Sequence, residues 1–462
     1  MTQLQYDTVV LGAGSAGISA AAAAAKAGAR TLLVDSGSMP GGELLSGMAI
    51  DGALNARGEW VVGGIARELF DELDKLGGYI GPLNDWRLIW YVCIDPELMK
   101  LAVVRLLERC GVELLLHTVA TGAESENGCV RSISLLNKAG TTRVAAPVFI
   151  DCSGDADLVR WAGGKLEQGG RDGVMQPVSM MFRMAGVENT PLLAFVREHP
   201  EYFALGESDA IRGGRTDAEI AEALQRQGQP CVFLKADGPL LRRAIDSGEM
   251  YPTALVMVQP TSVARREVCL NTTRVANLDG MRTDALSKSL AELSRQIIQC
   301  SDFMRANVPG FDNAQVSGLA PRIGIRETRR IVGEHVLTRE EVLGAQKNPA
   351  GVAKGCHHVD IHQAGAGQVR IPVANGGSYD IPYGCLVPRN VKNVLVAGRC
   401  LSADRDAHGT ARVMGSCMGM GHATGLAASI IASEGIDDVR WLPVSTLREG
   451  LRAGGAVLDG VH

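Results

Sequence analysis

The 462-residue sequence lacks two features that would assign it to large functional classes. It has no uninterrupted apolar run near the roughly 18 residues of a membrane span, since the stretch GLAASIIA is too short. It also lacks a Lys/Arg-rich run, and its 46 basic and 51 acidic residues give a net charge of −5. We therefore expect no membrane span and no nucleic-acid partner.

Paired cysteines and a leader segment are lacking as well. The eleven cysteines show neither metal-ligand spacing nor a Cys-x-x-Cys pair, and most stand in apolar contexts, which is typical of core thiols and argues against a disulfide reductase. The first apolar run begins within ten residues of Met1, which leaves no room for a secretory leader. We expect a cytoplasmic protein.

The sequence predicts several helices and strands directly. A helix is expected over residues 95–110, with Asp95 as N-cap, Pro96 in the first turn and Gly111 as the stop. Short alternating runs over 112–152 predict a β-meander and then a buried strand. A second helix is expected over 284–305, with an apolar stripe of Leu286, Leu290, Leu293 and Ile297 facing a core.

A glycine fingerprint stands near the start, in TVVLGAGSAGISAAAAAAKAGARTLLVD from Thr8 to Asp35. Gly12 permits a tight turn after a strand, Gly14 lets the backbone approach a pyrophosphate, and Gly17 lets the following helix pack closely on the sheet. Asp35 ends the second strand, where an acid accepts a hydrogen bond from a ribose hydroxyl. The pattern predicts a dinucleotide site.

The rest of the chain favours FAD over NAD as that dinucleotide. An NAD-binding domain would continue with alternating strands and helices, whereas this chain continues with a glycine-rich loop and a β-meander. A strand ending at Arg399 and a helix beginning near Met414 then return to the first kind of structure, and the helix start offers a positive end to the flavin carbonyls. The expected cofactor contacts come from the fingerprint, the following loop, the meander and the return segment: Gly12, Gly14, Ser15, Ala16, Gly17, Asp35, Ser36, Gly42, Val119, Ser153, Gly154, Gly398, Arg399, Met414 and Gly415.

Four runs carry a resemblance to a known family: FIDCSGDADLVRWAG (149–163), QPVSMMFRMAGV (176–187), RIGIRETRRIVGEHVLT (322–338) and the segment from YDIPYGC to GHATGLAA (379–428). They resemble the FAD-dependent oxidoreductases, two-domain flavoproteins with a glutathione-reductase type FAD domain. The resemblance implies an α/β protein in which a Rossmann-like FAD-binding domain (1–160 and 376–462) is interrupted by an inserted α+β substrate domain (161–375). It also implies FAD and redox chemistry, without naming a substrate.

Histidine and arginine are concentrated in the second half of the chain, where they are suited to bind an anion and move a proton. One cluster is GCHHVDIHQ, in which His358, Asp360 and His362 alternate along an expected strand; a metal site there is an alternative, but we expect no metal. A second is IRETRR, in which Arg326 is a site candidate and ion pairing at a surface or domain seam is the alternative. The phenol of Tyr383 is a further proton donor, unless it only packs.

The stretch His408-Gly409-x-x-Arg412-x-x-Gly415 resembles one in succinate dehydrogenase and fumarate reductase flavoproteins, where the arginine holds a substrate carboxylate. The resemblance implies that Arg412 binds a substrate anion, with a structural or cofactor-clamping arginine as the alternative. The catalytic candidates are therefore His358, His408, Arg412, Arg326 and Tyr383. No histidine precedes His117, so we expect non-covalent FAD.

Taken together, these features predict a dehydrogenase or reductase that transfers a hydride between FAD and a small, carboxylate-bearing molecule. A flavin monooxygenase is an alternative, although SGDADLVR lacks the Asp-Gly pair of the hydroxylases. A structural or sensing use of FAD is another. The electron donor or acceptor and the oligomeric state, including a homo-oligomer, stay open.

Overall fold

The protein is described by a computed structural model that covers residues 3–170, 173–363 and 367–462. The elements up to residue 161 are β1 (Gln3–Gln5), β2 (Thr8–Leu11), α1 (Ser15–Lys26), β3 (Thr31–Val34), α2 (Ile65–Lys75), β4 (Tyr79–Asn84), β5 (Trp90–Ile94), α3 (Pro96–Cys110), β6 (Glu113–Leu115), β7 (Val119–Glu126), β8 (Cys129–Asn137), β9 (Gly140–Ala145), β10 (Val148–Asp151) and α4 (Asp157–Trp161). The middle of the chain forms β11 (Leu166–Gln168), β12 (Phe182–Ala185), α5 (Asn189–Glu198), α6 (Asp209–Arg212), α7 (Asp217–Gln227), β13 (Val232–Lys235), α8 (Pro239–Ser247), β14 (Leu255–Ser262), β15 (Glu267–Asn271), α9 (Thr283–Asn307), β16 (Gln315–Leu319), β17 (Arg329–Ile331), α10 (Arg339–Leu343), β18 (Gly351–Gly355), β19 (Val359–His362) and β20 (Gln368–Ile371). The last elements are β21 (Tyr379–Pro382), β22 (Val394–Val396), α11 (Arg405–Ala411), α12 (Met414–Glu434) and α13 (Val444–Ala453).

A five-stranded parallel sheet organises the first part of the fold, in the order β22-β10-β2-β3-β6. Strands β2, β3, β10 and β22 are buried along their whole length, as expected for a parallel sheet covered on both faces. The return strand β22 therefore completes the sheet that begins at the N-terminus. This topology, with a meander of β7, β8 and β9 beside it, is the predicted Rossmann-like α/β domain.

Helix α3 shows why the local predictions succeed. Asp95 caps it by accepting hydrogen bonds from the backbone N–H groups of Glu97 and Leu98, Pro96 occupies its first turn, and Gly111 ends it in the left-handed conformation. All three assignments from the sequence are confirmed. Each depends on contacts within a few residues of the chain.

A second sheet of five antiparallel strands, β13-β14-β15-β12-β16, forms the α+β part of the molecule. Helix α9 packs into the same core through Leu293 and Ile297, which are buried. The predicted apolar stripe is wrong at Leu290, which is 45% exposed. The buried face of α9 instead includes Gln296, whose side chain bonds the backbone of Arg274 at both N and O.

The hydrophobic cores cross the expected domain boundaries. Tyr91 and Cys93 on β5 belong to the core of the antiparallel sheet, although they precede residue 160. Leu337 and Val359 belong to the core of the parallel sheet, although they precede residue 376. The division at 160 and 375 stays a prediction, but the two cores are built from both sides of it.

No helix in the described ranges combines the length and apolar content that crossing a membrane requires.

Candidate active site

A cavity of about 480 Å³ opens at the carboxyl ends of the parallel strands. Its walls include the residues that follow β2, β3, β10 and β22, and the first turns of α1 and α12. In open parallel sheets this edge is where ligands bind, because the loops separate there and helix N-termini point at the gap. The cavity is therefore the candidate dinucleotide site.

The three fingerprint glycines have different surroundings in that site. Gly12 has φ +98°, and a Cβ there would lie 2.7 Å from the carbonyl carbon of Cys152, so the turn requires glycine. A Cβ on Gly17 would lie 2.9 Å from the carbonyl carbon of Gly12, so this glycine allows close packing of α1. A Cβ on Gly14 would meet no protein atom within 4 Å, because this residue faces the open cavity. That open space beside a helix N-terminus fits a pyrophosphate.

Asp35 shapes the turn as well as lining the cavity. Its carboxylate accepts hydrogen bonds from the backbone N–H groups of Ala13 (2.6 Å) and Gly37 (2.7 Å). These bonds fix the carboxylate at the cavity wall and leave its other lone pairs for a ligand. Its expected contact with a ribose hydroxyl stays a prediction.

Most of the residues expected to contact the cofactor line this cavity. They are Gly12, Gly14, Ser15, Ala16, Asp35, Ser36, Gly42, Val119, Ser153, Gly154, Gly398, Arg399 and Met414. Gly17 and Gly415 are absent from the lining. A Cβ on Gly415 would lie 2.5 Å from Ala53 N, and its own N–H donates to Asp51 O at 2.8 Å, so it packs α12 onto that loop. The expected cofactor contact of Gly415 stays a prediction.

A smaller cavity of about 80 Å³ adjoins the first. Its wall residues come from the loops near 50 and 87, from β14 and β15, and from the segment around β19. Seven residues line both cavities: Met48, Asp51, Asn271, Arg326, His357, Asp360 and His362. The shared wall makes the smaller cavity the candidate substrate site beside the dinucleotide.

Arg326 and Arg412 both lie where the cavities meet. Arg326 lines both of them and donates to Pro177 O at 2.7 Å. Arg412 lies between α11 and α12, lines the larger cavity, and has a guanidinium nitrogen 3.9 Å from a carboxylate oxygen of Asp360. Burial lowers the pKa of Arg326 to about 10, so its guanidinium stays charged at neutral pH. The structure thus brings together these two sequence candidates.

The remaining part of IRETRR is a structural network. Arg330 pairs with Glu327 at 2.9 Å, and both side chains are buried. Arg329 pairs with Asp157 on α4. Arg329 and Arg330 thus form ion pairs within the protein, while Arg326 lines both cavities.

His358 is the one histidine candidate that lines a cavity. It lies in the wall of the smaller one, 3.9 Å from the His357 ring centre to centre, and its Nδ1 has no hydrogen-bond partner in the described part of the chain. Burial holds its pKa well below the ordinary value, so the ring is neutral. Its expected catalytic role stays a prediction.

Neither His408 nor Tyr383 lines either of these two cavities, and the catalytic roles expected for them stay predictions. His408 is fully buried on α11, and its Nε2 lies 2.7 Å from Arg399 O, to which it donates. The Tyr383 hydroxyl donates to Val439 O at 2.9 Å within the core. Both polar groups hold backbone carbonyls of other segments, which is a structural role.

Asp360 and His362 form a hydrogen-bonded pair on β19. The Nε2 of His362 lies 2.9 Å from Asp360 Oδ2, and Gln368 donates to Asp360 Oδ1 at 2.6 Å. Although burial opposes it, the neighbouring His362 and the Arg412 guanidinium hold the pKa of Asp360 well below its usual range. Burial lowers the pKa of His362 to about 4. At neutral pH we assign a carboxylate to Asp360 and a neutral ring to His362.

Within the described ranges no group of three His, Cys, Asp or Glu side chains is arranged to hold a metal ion. Of the three alternating residues, His358 stacks on His357, and Asp360 and His362 pair with each other on β19.

The sequence analysis missed Asp51, Glu43, Arg87 and Arg274, which all line one or both cavities. Glu43 and Asp51 follow the fingerprint in a glycine-rich loop, and an acid within such a loop is the signal that could have identified them. Arg87 and Arg274 carry no comparable signal, because they stand alone in ordinary sequence. Only the fold brings them to the smaller cavity.

Comparisons with known proteins agree with the assignment of a dinucleotide site. Residues 7–451 match the sequence profile described as FAD dependent oxidoreductase. The chain is 50% identical over 71 residues to the sarcosine oxidase subunit alpha of Rhizobium meliloti, covering 15% of this chain and 6% of that protein. It is 37% identical over 98 residues to the tRNA uridine 5-carboxymethylaminomethyl modification enzyme MnmG of Christiangramia forsetii, covering 21% of this chain and 14% of the other. Each match thus spans a small part of the relative's length.

Two solved structures are also similar. A geranylgeranyl bacteriochlorophyll reductase-like protein from Thermoplasma acidophilum has a TM-score of 0.46 at 14% identity, over 98% of this chain and 84% of the other. The p-nitrophenol 4-monooxygenase of Pseudomonas putida has a TM-score of 0.47 at 12% identity, over 97% of this chain and 84% of the other.

The family profile covers nearly the whole chain, and its FAD fits the cavity that the fingerprint builds at Gly14, at the N-termini of α1 and α12 and beside Asp35. The chain belongs to the FAD dependent oxidoreductase family.

Proposed function

We propose that the protein transfers a hydride between FAD and a small, carboxylate-bearing organic molecule in the smaller cavity. When bound, FAD supplies the hydride chemistry, and the chain binds the substrate, orients it and moves the accompanying proton. The observation that carries the proposal is a cluster of arginines around the junction of the two cavities.

Arg326, Arg412 and Arg274 form this cluster. After burial, repulsion by Arg412 and Arg274 is among the causes that lower the pKa of Arg326, with Asp360 acting in the opposite direction. Asp360 acts on all three guanidinium groups, and Glu43, whose own pKa burial raises, is a second acidic neighbour of Arg326, so three buried arginines face few opposing charges. An added anion would relieve this imbalance. A planar guanidinium suits a carboxylate because it donates two parallel hydrogen bonds.

The buried surroundings of these arginines strengthen their contacts with an anion. Arg274 and Arg326 are held by backbone carbonyls, of Gln363 (2.7 Å) and Pro177 (2.7 Å), so their positions are fixed before a ligand binds. The Nε atoms of Arg274 and Arg412 are buried and have no partner within the part of the chain that the structure describes. Buried, charge-assisted hydrogen bonds are worth about 1.5–3 kcal/mol each.

The test is an anion titration of the FAD-loaded protein. Acetate, succinate and benzoate are added while flavin absorbance is recorded, and then α-hydroxy, α-keto, α-amino and α,β-unsaturated carboxylates are screened in single-turnover flavin oxidation or reduction. Arg412→Ala should weaken anion binding by about 10- to 100-fold, in line with one lost charge-assisted contact. Bound FAD should stay at the wild-type level.

Arg295→Ala is the matched control, because Arg295 is exposed on α9 and pairs with Glu292. It should bind the same anions as the wild type. Unchanged anion binding in Arg412→Ala would refute the proposal, and loss of FAD would make Arg412 a cofactor clamp instead.

Non-covalent attachment of FAD is part of the same proposal. It is supported by the lack of histidine before His117. Acid precipitation should therefore leave the flavin colour in the supernatant, and colour retained in the protein pellet would contradict it.

A further inference from the structure

Asp51 is a buried carboxyl that the sequence analysis left unassigned. It lines both cavities, its side chain is 6% exposed, and its Oδ1 has no hydrogen-bond partner in the described part of the chain. Its backbone is fixed on both sides, because Ile50 pairs with Val92 of β5 and Asp51 O accepts from Gly415 N at the start of α12. The carboxyl is therefore held rigidly at the junction with one oxygen free.

The second oxygen faces a histidine whose tautomer, in the neutral ring, is fixed by geometry. His357 Nδ1 lies 2.7 Å from the carbonyl oxygen of His358, which can only accept, so the proton of the neutral ring is on Nδ1. His357 Nε2 then presents a lone pair, and it lies 3.7 Å from Asp51 Oδ2. A lone pair repels a carboxylate and attracts a carboxylic acid, so this arrangement favours a protonated Asp51.

We propose that Asp51 exchanges the proton that accompanies hydride transfer directly with the substrate, from its free oxygen. This inference rests on the proposed function. In the reducing direction, a substrate carbon gains a hydride from reduced FAD while its double bond to the neighbouring atom becomes a single bond, and the O–H bond of Asp51 breaks so that its proton goes to that neighbouring atom. Asp51 is left as a carboxylate and FAD as the oxidised cofactor. In the oxidising direction the same bonds form and break in reverse.

The charges around Asp51 agree with this role. Burial, with smaller contributions from the charges of Asp85 and Asp360, raises the pKa of Asp51 to about 8, and Arg412 acts in the opposite direction. The buried thiols of Cys93 and Cys356 are further titratable neighbours, and burial keeps both protonated. Burial also lowers the pKa of His357 to about 4, so that ring stays neutral. Asp51 thus carries its proton through neutral pH.

Asp51→Asn keeps the shape of the side chain and removes the transferable proton. We expect an infrared carbonyl stretch of a protonated carboxyl in the FAD-loaded wild type that is absent in Asp51→Asn and disappears with a midpoint near pH 8. The control is Asp71→Asn, an exposed position on α2, which should keep the band. If Asp51→Asn does not fold, ¹³C-aspartate labelling of the wild type gives the same titration.

Two functional readouts accompany the spectrum. Succinate affinity in the wild type should fall by about tenfold per pH unit above pH 8, because an ionised Asp51 repels the anion, and it should not fall in Asp51→Asn. With the carboxylate that reacts fastest in the screen above, Asp51→Asn should slow the single-turnover flavin reaction by about 100-fold or more, with succinate affinity at pH 7 unchanged.

The outcomes separate the two hypotheses. A protein that binds carboxylates but whose Asp51 titrates near pH 4, or whose Asp51→Asn variant reacts at the wild-type rate, overturns the Asp51 assignment alone. A wild-type protein that binds none of the carboxylates overturns the proposed function. The proposed proton exchange between Asp51 and such a substrate is then overturned as well.

Discussion

At the scale of single residues, glycine has different roles at neighbouring positions of the fingerprint. Gly12 and Gly17 are required by the protein's own packing, since a Cβ at either would meet backbone. Gly14 has free space for a Cβ, and that space is the cavity itself. The fingerprint therefore contains two structural glycines and one glycine that serves the ligand.

Gly14→Val tests this division. The variant should fold, because φ at Gly14 is −76° and no protein atom is within 4 Å of the added Cβ. The valine should crowd the pyrophosphate at an overpacking cost of about 1–3 kcal/mol, which corresponds to roughly 10- to 100-fold weaker FAD binding. The measurement is flavin content per protein after gel filtration.

Gly122→Val on β7 is the matched control, because its Cβ also meets nothing within 4 Å but lies outside both cavities. It should retain FAD. Full flavin content in Gly14→Val would contradict the fingerprint assignment.

The histidines near the site predict an unusual pH dependence. Burial lowers the pKa of His357 and His362 to about 4 and that of His358 well below 6.5, because a buried imidazolium loses its hydration. The rings of His357 and His362 are therefore neutral above about pH 5, and the ring of His358 is neutral at neutral pH. In the direction in which reduced flavin passes its hydride to the substrate, the single-turnover flavin rate should be flat between about pH 5.5 and 7.5, because Asp51 stays protonated there and no ordinary histidine titrates.

Replacing His199, which is exposed on the surface, by Asn should leave that profile unchanged. A limb centred between pH 6 and 7 that disappears in His358→Asn would show that a histidine titrates in the site, against this prediction.

At the scale of elements, the contact between α1 and α12 depends on small residues. A Cβ on Gly425 would lie 2.9 Å from the carbonyl carbon of Ala20, and one on Gly421 would lie 2.9 Å from that of Ala16. The two helices thus pack backbone to backbone. This close approach places the N-termini of both helices at the larger cavity.

Gly425→Ala should therefore destabilise the protein, although alanine is the better helix former. Its overpacking cost of about 1–3 kcal/mol opposes a helix-propensity gain of up to about 1 kcal/mol. Gly419→Ala, on the same helix, should be neutral or stabilising, since its Cβ would make an ordinary 3.5 Å contact with Ala353. The measurement is the urea concentration at the unfolding midpoint of each variant. Equal midpoints for the two variants would be inconsistent with backbone packing at Gly425.

At the scale of the whole molecule, the chain closes one parallel sheet from its two ends. The described residues contain one parallel sheet with a glycine turn at its edge, and the other large sheet is antiparallel. No second G-x-G-x-x-G after a strand occurs in the sequence. These features favour the absence of a dedicated nicotinamide domain.

Mixing with NADH or NADPH at micromolar concentration should therefore leave the flavin oxidised over the time of a stopped-flow experiment. The positive control is dithionite, which reduces free and bound flavin. Rapid bleaching by a nicotinamide would require a binding mode other than a second domain of this type.

The sequence by itself determined the features whose causes are local. The turn at Gly12, the caps of α3 at Asp95 and Gly111, and the helix of small residues after Met414 follow from backbone conformation and hydrophobic period, which a few neighbouring residues set. Because these local features are specific in combination, they also indicated the dinucleotide site and the return of the chain to the first sheet.

Only the tertiary structure decided which polar groups share a cavity. His358 and His408 were equal candidates in the sequence, yet one lines the smaller cavity and the other bonds a backbone carbonyl in the core. Asp51 lies 3.7 Å from His357, which comes more than three hundred residues later in the chain. Burial and distances between remote segments set charge and protonation, and these quantities exist only after the sheets have closed and excluded water.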